Sequence, residues 1–299
     1  MMKKSVKKSI SLILAIAMVL TTVAAAPAVT FAANSSTARQ SFAAYQTAAK
    51  VVASKAKKAK TKKKKIKNAS KIPVLTYHRI ITDKQKKSHV YAKDRYAISL
   101  TNFNKQMKWL KKKKYRAITC EELYQWRLGR IKLPKRSVLI TIDDGHAASV
   151  ENAIPVLSRY GLKATVFIIG KQSYYSNGSY YITYSRIQDI QKRYSNIIEF
   201  QSHTYDQHRP NAAQTESYPS VINDAAQQKN LYGFTYLAYP HGKISGEMIR
   251  AYQNSGIKMA FLFKNGTNGY ATRKQNIYKM KRIEVPGNMK LGKFKRWCK

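Results

Sequence analysis

Cysteine is almost absent from this chain: Cys120 and Cys298 are the only two in 299 residues. Two thiols make no disulfide framework, so a buried core rather than a set of staples must hold the fold. A single bridge between them stays open, and Cys120, beside an apolar helical pattern, equally suits burial as a free thiol. No internal repeat is present, which excludes a solenoid or a propeller. Carboxylates are the other scarcity: 14 Asp and Glu stand against 56 Lys and Arg, a formal charge of +42. An imbalance of that size points to polyanionic partners. The length accommodates one large domain plus appendages.

The positive charge is unevenly placed. Lys55, Lys57, Lys58, Lys60, Lys62, Lys63, Lys64, Lys65 and Lys67 form a nearly unbroken run. Such a block repels itself and stays solvated, so residues 33–70 read as a disordered lysine-rich tether. Ahead of it, Lys3, Lys4, Lys7 and Lys8 precede an apolar stretch from Ile10 into Ala26, and small residues follow around Thr30-Phe31-Ala32. That order is a secretory signal, residues 1–32, cut near Ala32. Left uncut, Ile10 to Ala33 is long enough to anchor the chain in a bilayer. Export removes nucleic acid from the candidate partners. It leaves an anionic cell-wall polymer or a membrane surface for the lysines, and a secreted, wall-associated or surface-associated protein.

Beyond the tether, strand and helix patterns alternate. Apolar runs at Pro73 to Tyr77, Ser137 to Ile142, Ala164 to Ile169, Ile197 to Gln201, Tyr236 to Tyr239 and Lys258 to Phe263 read as strands. Phe103, Met107 and Leu110 have helical spacing, and Ala147 to Tyr160 reads as a helix closed by Gly161, with Pro155 as a potential break. Helices are also expected over Tyr184 to Tyr194 and Gly246 to Asn254. Alternation of this kind implies a parallel sheet covered by helices, and closure into a barrel would gather the strands' C-terminal ends around one site.

Two segments carry the chemistry. The run Ser137 to Ile142 ends abruptly in Asp143, Asp144 and Gly145. Adjacent side chains on an extended backbone point in different directions, so one carboxylate can hold a metal while its neighbour acts as a base. Further on, His203-Thr204-Tyr205-Asp206-Gln207-His208 follows a second strand pattern and offers two neutral nitrogen ligands from one loop. Two His and one Asp make an open three-ligand site for a borderline metal such as Zn²⁺, with room for water and substrate. Singly, Asp-Asp-Gly is an ordinary turn and loop histidines are ordinary surface. In this order, each after a strand, they suggest metal-assisted hydrolysis.

At these residues the chain resembles the NodB-homology polysaccharide deacetylases (carbohydrate esterase family 4), whose first two motifs are T-F-D-D-G and H-[ST]-x-x-x-H. Leu237-Ala238-Tyr239-Pro240-His241-Gly242 resembles the A-Y-P-[FY]-G form of the third motif. Pro73-Val74-Leu75-Thr76-Tyr77-His78-Arg79 resembles a Y-H-R opening strand, and both features are typical of the branch acting on poly-N-acetylglucosamine. The resemblance covers roughly residues 71 to 290. It implies an α/β fold, a distorted (β/α)7-type barrel, as a single catalytic domain over 71–299 after the signal and tether. It implies Asp143 as general base and Asp144, His203 and His208 as ligands of a divalent ion, Zn²⁺ with Co²⁺ or Ni²⁺ as alternatives. The backbone N–H of Tyr239 is implied as an oxyanion donor.

The chain departs from the family in two places. Ala238 stands where most members carry an Arg that orients the catalytic Asp. No histidine follows His241, so the terminal L-x-H motif and its general acid are missing, as they are in the poly-N-acetylglucosamine branch. The amine product still needs a proton. His78, ending an early strand on the same barrel face, is the first candidate and His241 the second. His146 replaces a common aromatic and is expected to line the cleft, whereas His89 is expected to be exposed. Tyr174, Tyr175, Tyr180, Tyr181 and Tyr184 suit either pyranose stacking or packing among themselves. The implied activity is N-deacetylation of an N-acetylglucosamine polymer by a monomer, poly-β-1,6-N-acetylglucosamine first. Peptidoglycan, carbohydrate O-acetyl esters, and a wall-binding protein without turnover stay open.

Overall fold

Strands buried on both faces decide the architecture. The computed structural model describes residues 67–263 and 268–299. The expected signal segment, and the tether up to residue 66, lie outside them. Seven strands form one continuous path: β1 (Val74–Tyr77), β2 (Ser137–Ile142), β3 (Ala164–Ile168), β4 (Ile198–Ser202), β5 (Tyr236–Ala238), β6 (Met259–Phe261) and β7 (Ile283–Glu284). They lie in the order β6-β5-β4-β3-β2-β1-β7, every neighbour parallel. Phe261 also bridges to Met280, so the segment ahead of β7 reaches across to β6. Six of the seven strands sit where the apolar runs place them. The short β7 has no such run and is an addition.

Alternate residues of each strand enter different clusters. Val74, Leu139, Phe167, Tyr236 and Met259 pack together inside the curved sheet. Leu75, Val138, Ile140 and Val166 face outward against Phe103, Val150, Ile187 and Ile190. Those last four belong to α1 (Leu100–Lys112), α3 (Ala147–Tyr160) and α4 (Tyr184–Arg193). Between α1 and α3 comes α2 (Cys120–Arg127). Later come α5 (Tyr218–Tyr232), α6 (Gly246–Asn254) and α7 (Leu291–Trp297). Pro155 does not break α3, which runs on to Gly161 in the left-handed region (φ 60°). Cys120 follows α1 in the chain and opens α2, and both cysteines are free and buried, which leaves the potential bridge unmade.

Candidate active site

Counting outward along β2 explains where the first carboxylate points. Leu139 and Thr141 face the barrel interior, so Asp143, two residues on, faces it too. Its N–H continues the ladder by donating to the Tyr77 carbonyl at 2.9 Å. Its carboxylate accepts a forked pair of hydrogen bonds from Arg282, at 2.8 Å to Oδ1 and 2.7 Å to Oδ2. Both side chains are 1% exposed, so neither charge is screened by water. Burial would raise the Asp143 pKa, but the adjacent guanidinium, with His203 and His78, offsets it and holds the carboxyl below the usual range. Arg282 Nη1 also reaches Thr141 Oγ1 at 3.2 Å, and Nε donates to the Leu262 carbonyl at 2.8 Å.

Arg282 corrects the expectation that the orienting arginine is missing. The third motif has Ala238 in its place, and the guanidinium arrives instead from the segment just before β7. Sequence reasoning overlooked it. The available signal was an arginine placed between the apolar residues of the Met280-Lys281-Arg282-Ile283 run, next to Lys281.

Asp144 is turned away from its neighbour by a left-handed backbone, φ 74°, a conformation that costs a non-glycine residue energy and is often kept where function needs it. Its Oδ1 lies 3.5 Å from His203 Nε2 and 3.4 Å from His208 Nε2. The three ligand atoms of Asp144, His203 and His208 fall within 4.8 Å of one another. Donors on a tetrahedral ion with bonds of about 2.0–2.1 Å stand about 3.3–3.5 Å apart, so the set fits a divalent ion such as Zn²⁺. Burial would raise the Asp144 pKa, but the surrounding imidazoles hold it well below its ordinary value, in the charge state a ligand requires.

The histidine loop is held from behind. His203 Nδ1 sits 2.7 Å from the Ala238 carbonyl, which makes Nδ1 the protonated nitrogen and leaves the Nε2 lone pair for a metal. Thr204 follows at φ 69°, and its carbonyl accepts from Gln228 Nε2 at 3.1 Å. The buried Asp224 carboxylate accepts from the N–H groups of Tyr205 (2.8 Å) and Asp206 (2.7 Å). Burial pushes its pKa up to about 6 despite those two donors. Asp224 and Gln228 both come from α5, a helix the sequence reading did not identify.

Asp143, Asp144, His203, His208, His78 and His241 share one cavity of about 190 Å³. His78 follows β1 and is wedged between the Tyr96 and Phe263 rings, each centred 4.9 Å away. Burial lowers its pKa, partly opposed by Asp144 and Asp143, so the resting imidazole is neutral. His241 lies 4.7 Å from His208, its pKa lowered by burial and then by the two neighbouring histidines. Tyr239 requires a correction. Its N–H donates to the Phe261 carbonyl at 3.0 Å as part of the β5–β6 ladder, so it is not free to bind an oxyanion. Gly242 closes that turn at φ 67°, where a Cβ would lie 1.5 Å from the Phe263 carbonyl oxygen.

His146 does not line this cavity. It is 5% exposed, capping α3, with Nε2 3.3 Å from Asp144 Oδ2. His89 is exposed, as expected. Some of these tyrosines pack on neighbouring rings and some stay exposed. Tyr180 packs on Tyr181 (4.8 Å) and His146 (4.5 Å), yet Tyr174, Tyr175 and Tyr180 remain 43%, 72% and 44% exposed.

Known proteins resemble this chain in sequence and in fold. The polysaccharide deacetylase family matches residues 130–260. The poly-beta-1,6-N-acetyl-D-glucosamine N-deacetylase of Staphylococcus aureus is 28% identical over 245 residues, covering 75% of this chain and 81% of its own. Streptococcus pyogenes deacetylase PplD superposes with a TM-score of 0.66 at 19% identity, over 77% of this chain and 98% of its own. IcaB from Ammonifex degensii gives 0.63 at 24% identity, over 77% and 98%. These two share the barrel, and the match of residues 130–260 to the polysaccharide deacetylase family takes in both the Asp143-Asp144 and the His203–His208 segments.

Proposed function

We propose that this chain is an exported, metal-dependent N-deacetylase of N-acetylglucosamine polymer, with poly-β-1,6-N-acetylglucosamine as the favoured substrate. The carrying observation is the division of labour between adjacent carboxylates. Asp143 is anionic, forked to Arg282 and off the ligand set, while Asp144 joins His203 and His208. The name of the staphylococcal relative supports the polymer, and so do the A-Y-P-type third motif and the missing terminal histidine. The signal-like N-terminus supports export, and the lysine run supports retention on an anionic wall polymer or membrane surface.

Asp144, His203 and His208 would hold Zn²⁺, or Co²⁺ or Ni²⁺, all suited to two imidazoles and a carboxylate. Bound there, the ion would polarise the acetamide carbonyl, lower the pKa of water and face the developing oxyanion that the Tyr239 N–H cannot serve. Asp143 takes the proton from the attacking water, and Arg282 keeps its carboxylate ionised and aimed. Collapse to acetate and a free amine needs a proton on nitrogen. His78 lines the cavity to deliver it, with His241 as the alternative. Because His78 is neutral at rest, it receives that proton during turnover.

Acetate release by the full chain with added Zn²⁺ tests the substrate. It should proceed on β-1,6-linked N-acetylglucosamine oligomers several-fold faster than on β-1,4-linked oligomers or peptidoglycan. Faster release from peptidoglycan would reassign the polymer. Release only from O-acetylated sugars would replace the amide chemistry with ester hydrolysis.

A further inference from the structure

The excess positive charge has a folded component. On α1, Lys105, Lys108 and Lys112 form an exposed i, i+3, i+7 stripe. At α7, Lys290, Lys293 and Arg296 repeat at i, i+3, i+6 and line a surface groove of about 400 Å³. The two helices are locked together through Trp109 and Phe294, ring centres 6.0 Å apart, and through the Tyr115 hydroxyl, which donates to the Cys298 carbonyl. Neither helix contains an Asp or Glu. None of the six cations forms an ion pair among the described residues. The first acidic residue of the chain is Asp83, and residues 264–267 contain none, so no undescribed carboxylate side chain can neutralise them.

Both helices run along the outside of the barrel: α1 starts four residues after the cavity-lining Tyr96, α7 follows Gly287, whose N–H donates to the Arg95 carbonyl, and the two segments end at the Tyr115–Cys298 contact. The chain leaving α1 forms Arg116–Ala117, which pairs with Ser137–Val138 at the start of β2, whereas Asp143 follows its end. We infer that the α1–α7 face binds a linear phosphodiester polymer on the outside of the barrel, whereas the cleft is lined from the strand ends. Charge complementarity selects the anion. A membrane surface is disfavoured because interfacial docking uses exposed apolar side chains. The large exposed ones among the described residues, Val90, Leu128, Tyr174, Tyr175 and Tyr180, all lie elsewhere.

Binding of the full chain to poly(glycerol phosphate) at several salt concentrations tests the inference. Two charge-matched variants are compared: Lys105→Glu/Lys112→Glu/Lys293→Glu/Arg296→Glu, and a control at Lys192, Lys229, Lys274 and Lys279 changed to Glu. The face variant should lose at least about tenfold more affinity than the control and show a shallower salt dependence. Its glutamine version should show the same order if the glutamates perturb folding. Equal losses in both variants would overturn the inference. So would a face variant that loses binding to anionic-lipid vesicles while keeping the polymer.

A separate observation concerns His146. Its ring is buried, stacked on Tyr181 at 5.5 Å, yet Nε2 makes no well-directed hydrogen bond and lies 3.3 Å from Asp144 Oδ2. It is not in the set whose ligand atoms share the 4.8 Å limit, so it is placed behind the carboxylate rather than beside an ion. We propose that His146 is a positioning residue: it grips Oδ2 so that Oδ1 faces His203 and His208. This rests on the metal-site reading above.

The measurement is Zn²⁺ affinity of the metal-free full chain by chelator competition. His146→Phe preserves the ring packing and His146→Gln keeps a donor. Partners behind metal ligands typically contribute 10–100-fold in affinity, so the Phe variant should bind at least about tenfold more weakly at an unchanged melting temperature. The Gln variant should recover most of that. A Phe variant within about twofold of wild type, or a Gln variant as weak as Phe, would overturn the role. A wild type that binds no Zn²⁺ would overturn the metal-site reading with it.

Discussion

A buried carboxylate is an expensive base unless something holds it charged, and in this site that is Arg282. Removing the guanidinium leaves burial opposed only by His203 and His78, so the Asp143 pKa should rise. Arg282→Met should therefore move the acid limb of kcat/KM to higher pH and cost about 3–5 kcal/mol of stability. A pH–rate profile with an unshifted limb would assign the ionisation elsewhere. In the wild type, the depressed Asp143 pKa contributes stability that is present above the unfolded carboxylate value of about 3.9. That stability is lost as pH falls through the folded value. Asp224 has the opposite sign. Its pKa is raised to about 6, so stability is greatest below about 4 and falls as pH rises toward 6, by about 2–3 kcal/mol. Urea unfolding of Asp224→Asn across that window should show the slope gone.

Elements differ in how openly they announce themselves. α3 is legible because its apolar residues Val150, Ala153, Ile154 and Leu157 keep helical spacing and Gly161 supplies the left-handed end. α5 hides because the face it buries includes Asp224 and Gln228, which serve the histidine loop rather than a core. Polar side chains turned inward erase the apolar stripe by which a helix is recognised. The same conflict conceals β7 and Arg282. A two-residue strand has no period, and the contact with Asp143 spans 139 residues. The ligands were legible because motif order survives in one dimension. Which way the Tyr239 N–H points was not, because that depends on β6 lying beside β5. Gly242 is the element-scale test. Ala at φ 67° against the Phe263 carbonyl must displace the turn that carries His241, so Gly242→Ala should lower activity at least about tenfold and reduce the melting temperature. An unaffected variant would mean the turn is not held by that contact.

For the whole molecule, the parallel sheet gathers residues from β1, β2, β4 and β5 at one end, where the chemistry is proposed. The acid-free α1–α7 face, on the outside of the barrel, is assigned to polymer. Catalysis and retention are then separable. The α1–α7 charge reversal should leave acetate release from soluble oligomers within about twofold of wild type while weakening polymer binding.

The central claim is that Asp143 and Asp144 hold different jobs. Zinc titration of the metal-free protein, run beside acetate release for Asp143→Asn and His203→Ala, tests it most directly. The account expects one Zn²⁺ per chain in the wild type and in Asp143→Asn, with release in the latter down about 10²–10⁴-fold. His203→Ala should lose both metal and release. Asp143→Asn losing the metal as His203→Ala does, or retaining full release, would contradict the division of labour on which the mechanism stands.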